Sequence, residues 1–171
     1  MLRRRLEAEV IRDSLLAVSG LLDPKMLGPG TLDESSRRRS IYFTVKRSKL
    51  VPMMQVFDAP DALSSLGERS STTVAPQALL LLNNANTRAC AKAFAKRVAS
   101  GPATDLTDAI RAAYITAIAR QPTDEELADG LAFVTAQSAS YQADGKPDSR
   151  DLALADFCQV LLCLNEFVYV E

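Results

Sequence analysis

Apolar residues along this chain recur mainly at spacings of three and four, the pattern of packed helices. Leu6, Val10, Ile11, Leu15 and Val18 share one face of a helix expected over residues 3–19. Arg3/Glu7 and Arg5/Glu9 would add i,i+4 pairs, and Gly20 would stop it. Residues 20–36 hold Asp23-Pro24 and Gly28-Pro29-Gly30, breakers that predict a long loop. Such loops inside compact domains are usually functional or mobile. Ser40 to Lys46, SIYFTVK, is the one convincing strand candidate. One strand makes no sheet, so it is expected as an extended segment laid over helices, or paired with something outside the chain. Leu50 to Phe57 reads as a short helix with Pro52 in its first turn, and Asp58-Ala59-Pro60-Asp61 then turns the chain.

The remainder reads as helical. Thr73 is expected to cap a helix with Pro76 in its first turn and the run Ala78 to Leu82 behind it, until Asn83-Asn84 breaks or bends it. The stretch from Asn86 to Ala99 puts Cys90, Ala93, Phe94, Arg97 and Val98 on one face, and Asp105 to Arg120 groups Leu106, Ile110, Tyr114, Ala117 and Ile118. Thr123 followed by Glu126 is a capping box opening a helix through about Tyr141. A last helix opens at Ser149 or Asp151 and ends near Asn165. It is apolar nearly all round between Phe157 and Leu164, as a helix central to its bundle would be.

The expected class is therefore all-α: an irregular bundle of about five to six helices with one extended segment near residues 40–46. Residues 1–171 form one helical domain in this reading. It comprises a helix over 1–19, a loop over 20–36, an extended segment, short helix and loops over 37–72, and the bundle over 73–171. Composition agrees: 47% of residues are apolar, 6% aromatic and none is Trp, so the interior must be aliphatic.

Formal net charge is -1, which gives no overall pull toward nucleic acid. Charge is unevenly spread, with eleven of the twenty Lys/Arg but six of the twenty-one Asp/Glu in the first fifty residues. Convergent cations with stacking aromatics are what nucleic-acid binding needs, and only Tyr42 and Phe43 lie near the basic runs. His is absent, which removes His-based triads, His metal ligands and haem attachment through C-x-x-C-H. Cys90, Cys158 and Cys163 form no C-x-x-C pair and read as buried free thiols. No cofactor or metal site is read from these residues. No signal peptide is visible at the charged, amphipathic start, and no apolar run approaches membrane-spanning length; on this reading the chain alone is soluble and cytoplasmic.

Four ordered segments carry a resemblance: RRRSIYFTVKR, FDAPD, TTVAPQALLLLNN and the closing LLCLNEFVYVE. RRRLEAEVIRD from Arg3 and LDPKM from Leu22 fit the same pattern. Over essentially its whole length the chain resembles the C-terminal part of the planctomycete-type PSD1 family domain, DUF1553. An upstream helical portion rich in Trp and His is missing from it. The resemblance implies exported bacterial proteins, fused or encoded with cytochrome-c-like modules and a DUF1549 companion, and carries no established activity.

Two groups of residues are candidates for function. Asp58 and Asp61 flank a turn and could share acid/base work or begin a metal site, although an Asx turn and helix caps explain them as well. Glu68, Arg69, Thr72, Thr73, Gln77 and Asn83 form a polar set beside an apolar helix, where a binding cleft would lie. Arg69 could hold an anion there bidentately, or the set could pin the loop onto the bundle. The first functional expectation is a noncatalytic helical module presenting a surface to a companion domain or a carbohydrate-like ligand. It requires an exposed apolar patch. The second is a hydrolase or lyase using Asp58, Asp61 or Glu68, with two carboxyl groups converging on a carbohydrate-like substrate.

Overall fold

The computed structural model describes residues 3–46, 48–60, 67, 69–99 and 105–170; Asp61 and Glu68 lie outside them. Strand β1 (Arg4–Arg5) leads into α1 (Ala8–Ser19), followed by a 3-10 turn at Ser40–Tyr42, α2 (Pro52–Val56) and α3 (Ala75–Asn83). Then come α4 (Ala85–Val98), α5 (Leu106–Ile118), α6 (Asp124–Ala143), α7 (Ser149–Leu162), α8 (Asn165–Val168) and strand β2 (Tyr169–Val170). Among the described residues the class is all-α, with one two-stranded ribbon in which Arg4 pairs Val170 and Arg5 pairs Tyr169.

Helix α7 is the hub, packing on α4 and α6 and also on α5 and α8. Its apolar circumference explains this, since Ala153, Leu154, Ala155, Phe157, Cys158, Leu161 and Leu162 are all buried. Phe94 and Ala91 of α4, Ile110 and Ala113 of α5 and Val134 of α6 complete the interior around it. Helix α1 lies against α4 through Ala8, Ile11, Leu15 and Leu16. Local chemistry sets the helix ends. Thr123 Oγ1 accepts from Glu126 N at 3.2 Å while Glu126 Oε2 accepts from Thr123 N at 2.8 Å, the capping box predicted there. Asn84, between α3 and α4, accepts from the amides of Asn86 and Thr87 and so starts α4.

Several expectations need correction. The first helix does not reach back to Arg3: residues 4 and 5 are extended, because they pair with the distant Tyr169–Val170. The i,i+4 pairs dissolve with it, as Arg5 turns to Asp58 and Glu9 to Arg69. Val10 is 42% exposed and is not part of the buried stripe. The strand candidate opens as the turn Ser40–Tyr42, and the chain is extended only beyond it, bridging Thr31 through Phe43. It lies over α1, where Ser40 is buried. Val74, not Thr73, occupies the cap position of α3, and Gln77 Oε1 accepts from the Val74 amide at 3.3 Å. On α4, Arg97 is exposed and donates to Ala17 O at 3.0 Å and Val18 O at 2.8 Å, satisfying the end of α1.

Gly130 lets α6 approach its neighbours closely. A Cβ there would lie 3.1 and 3.3 Å from the Phe157 ring and 3.4 Å from Ile110. Phe157 is itself held between the Tyr114 and Phe133 rings, 6.3 and 6.4 Å away. Gly130→Ala is expected to lower stability in urea unfolding by about 1–2 kcal/mol, overpacking outweighing the better helix propensity of alanine. Equal or higher stability would show that Phe157 can give way.

Candidate functional site

The polar set predicted around the loop is split by the structure. Asp58, Thr72 and Gln77 come together around Arg5, whose side chain is 3% exposed. Arg5 donates to Asp58 Oδ2 at 2.8 Å, to Phe57 O at 3.1 Å and to Thr72 O, with its guanidinium 5.5 Å from the Phe57 ring centre. Asp58 Oδ2 also accepts from Thr72 N and Thr72 Oγ1, each at 2.8 Å. Gln77 Nε2 closes the knot on Val56 O at 3.0 Å and Thr72 O at 3.1 Å. Asp58 takes φ 58°, the left-handed conformation that Asp tolerates better than most residues. Burial resists its ionisation, but the hydrogen bonds from Thr72 and Arg5 outweigh that and hold its carboxyl below the ordinary range.

The other candidates have different surroundings. Arg69 grips Glu9 with bonds of 2.7 and 3.1 Å and lies 2.8 Å from Glu7. Thr73 is exposed, with its hydroxyl 3.1 Å from that of Tyr169. Asn83 is exposed at the last position of α3, apart from this network. Asp61 and Glu68 fall outside the described residues. Two further carboxylates share one arginine: Glu126 and Glu166 both bind Arg120, and Arg120 with the Thr123 amide holds the Glu126 carboxyl down to about 2. Burial raises the thiols, Cys158 to about 12 and Cys163 to about 11, so both stay protonated at neutral pH. Among the described residues no group of three Cys, Asp or Glu side chains is placed to hold a metal ion.

A cleft of about 890 Å³ opens instead between α1, the 39–50 segment and α2. Val10 and Ala17 of α1 form one wall, Ile41 and Val45 the other, and Leu50 and Met54 the end toward α2. Ile41 and Val45 are 73% and 71% exposed, so apolar surface lies open to solvent there. Of the predicted site residues that are described, Arg69 alone lines it, and its partners Glu7 and Glu9 stand beside it. Sequence reasoning did not point to this cleft. The signal that could have found it is the cluster of Ile41, Phe43 and Val45 in one short segment, more apolar side chains than its single inward position at Phe43 can bury.

Arg12 and Asp13 fix that wall. Arg12, 5% exposed, donates to Arg38 O at 3.0 Å, to Ser40 Oγ at 3.2 Å and to Ser36 O, and stacks on the Phe43 ring at 4.5 Å. Asp13 Oδ1 accepts from both Ser40 N and Ser40 Oγ at 2.7 Å. Ser40 is thus clamped from α1, and the residues after it run along the cleft.

A family profile for PSD1, described as a protein of unknown function (DUF1553), matches residues 1–134. The chain belongs to the PSD1 family. The matched stretch holds the cleft, the Arg5 knot and every predicted site residue, whereas the closing LLCLNEFVYVE segment lies beyond it. No curated protein and no solved structure matches the chain. Among the described residues of this PSD1 member, no helix is long and apolar enough to cross a membrane.

The Arg5–Asp58 pair yields a direct test. Asn tolerates left-handed backbone as Asp does, so Asp58→Asn removes the charge without straining the turn. It is expected to cost about 2–3 kcal/mol near neutral pH by urea unfolding. Because the folded carboxyl titrates low, the stabilisation is full above about pH 4 and is lost as pH falls through its folded value. The variant should therefore also lose less stability over that acid range than the parent does. An unchanged acid limb would mean that the pair contributes nothing to it.

Proposed function

We propose that this chain is a noncatalytic helical binding module that presents the cleft between α1 and the 39–50 segment to a companion domain. The companion would be a DUF1549-like or cytochrome-c-like domain of the same or a neighbouring polypeptide in an exported bacterial protein. One observation carries the reading: Ile41 and Val45 stand exposed along a cleft of about 890 Å³ whose wall is clamped in place. Concave sites of this size with apolar side chains in their walls are where proteins commonly hold ligands and partner segments. The paired acids support the same reading, since Asp58 lies on Arg5, Glu126 on Arg120, and the cleft acids Glu7 and Glu9 on Arg69. A carboxylate-based hydrolase or lyase needs two carboxyl groups free to face one substrate, and the pairing of the cleft acids Glu7 and Glu9 with Arg69 favours binding over that chemistry. A carbohydrate-like ligand has little to stack on, because Phe43 is the one aromatic ring along the cleft and Arg12 lies over it.

The double variant Ile41→Asp/Val45→Asp is expected to weaken binding of purified companion domains by about tenfold or more in calorimetric titration. Both side chains are exposed, so helical circular dichroism should stay at the parental level. Undiminished binding by the folded variant would overturn the proposal. So would release of sugar from a polysaccharide by the parent chain, abolished in Asp58→Asn.

A further inference from the structure

The charges around the cleft are asymmetric in a way that describes its occupant. On the α1 side every acid is already engaged. Glu7 and Glu9 meet Arg69, and Asp13 accepts from Ser40 and lies 3.6 Å from Arg39. On the opposite side Lys46 and Lys49 sit on one tight turn, bridged by Lys49 N to Lys46 O at 3.1 Å, and line the same cleft. Both are exposed, and neither ammonium makes an ion pair among the described residues. Unspent charge on the rim is therefore positive, beside an aliphatic floor.

The walls also restrict the shape of the guest. Three successive main-chain amides of the 39–50 wall are taken and offer little to an added strand: Tyr42 N donates to Arg39 O, Phe43 N to Ser40 O and Thr44 N to Thr31 O. The facing wall is helix α1, whose interior amides are used along its own length. A guest that satisfies its own backbone and is held by side chains, as a helix is, suits such walls better than an added strand. Val10 to Ala17 runs about 10 Å at 1.5 Å per residue, two turns, the span of i, i+3/i+4 and i+7 anchors on a docked helix.

Resting on the binding-module reading, we infer that the partner enters this cleft as a short amphipathic helix: an aliphatic stripe flanked by Asp or Glu that face Lys46 and Lys49. The apolar stripe covers Val10, Ile41 and Val45, and the flanking carboxylates select the partner and its direction in the groove. Two fluorescent synthetic helices of two to three turns test this with the full chain, identical in their leucines but flanked by Glu in one and Lys in the other. Anisotropy at low salt should show the Glu-flanked helix binding about tenfold or more tighter, an advantage that added salt erodes. The double variant Lys46→Glu/Lys49→Glu should reverse that order, which loss of structure could not do. Equal binding of both helices, or an unchanged order in the variant, would overturn the inference. So would dodecanoate filling the cleft while neither helix binds. Companion-domain binding that is lost in Ile41→Asp/Val45→Asp but untouched by Lys46→Glu/Lys49→Glu would sink the acidic helix alone and leave the binding module standing.

Discussion

Arginine donating to main-chain carbonyls is the interaction on which the non-helical part of this protein depends. Between α1 and α3 the chain makes few regular hydrogen bonds, and its carbonyls still need partners where they are covered. Arg12 takes those of Ser36 and Arg38, Arg38 those of Leu27 and Pro29, and Arg5 those of Phe57 and Thr72. A guanidinium can do this because it offers five donors in a rigid fork and holds its charge when buried. An ammonium has three donors around one point and a larger penalty for leaving water. Aromatic rings complete the clamps, Arg12 on Phe43 and Arg38 on Tyr42, the latter at 3.6 Å.

The consequence for function is positional. The helical bundle around α7 is the platform, and its Cys158 and Cys163 thiols stay protonated at neutral pH. What it carries is a long irregular excursion that would be a loose loop without Arg12 and Asp13. Held down at Ser40, the excursion turns Phe43 inward onto Arg12 and leaves Ile41 and Val45 facing the cleft. A groove wall ordered before its guest arrives spares the guest the entropy of arranging it.

Much of the fold was legible because its signals are local. The capping box at Thr123–Glu126, the face of Ile110 and Tyr114, and the last long helix, apolar nearly all round between Phe157 and Leu164, each lie within a few turns of sequence. The misses are non-local. Pairing of Arg5 with Tyr169 spans almost the entire chain and overrides the helical pattern of residues 3–7. Asp58 was legible as a turn residue but not as the partner of Arg5, since nothing in FDAPD names a cation so far upstream. The cleft was hidden for the same reason. Val10 reads as core on a helical wheel, and only its placement opposite Ile41 and Val45 turns it into a groove wall.

Amide hydrogen exchange on Arg12→Lys tests the central claim most directly, since lysine keeps the charge and removes the fork. The amides of Asp23, Thr31 and Thr44, which bond within the excursion, should exchange about thirtyfold faster, equivalent to about 2 kcal/mol of local stability. Amides in α6 and α7 should keep their parental protection. Unaltered exchange at Asp23, Thr31 and Thr44 would contradict the account, because the excursion would then be ordered without the guanidinium.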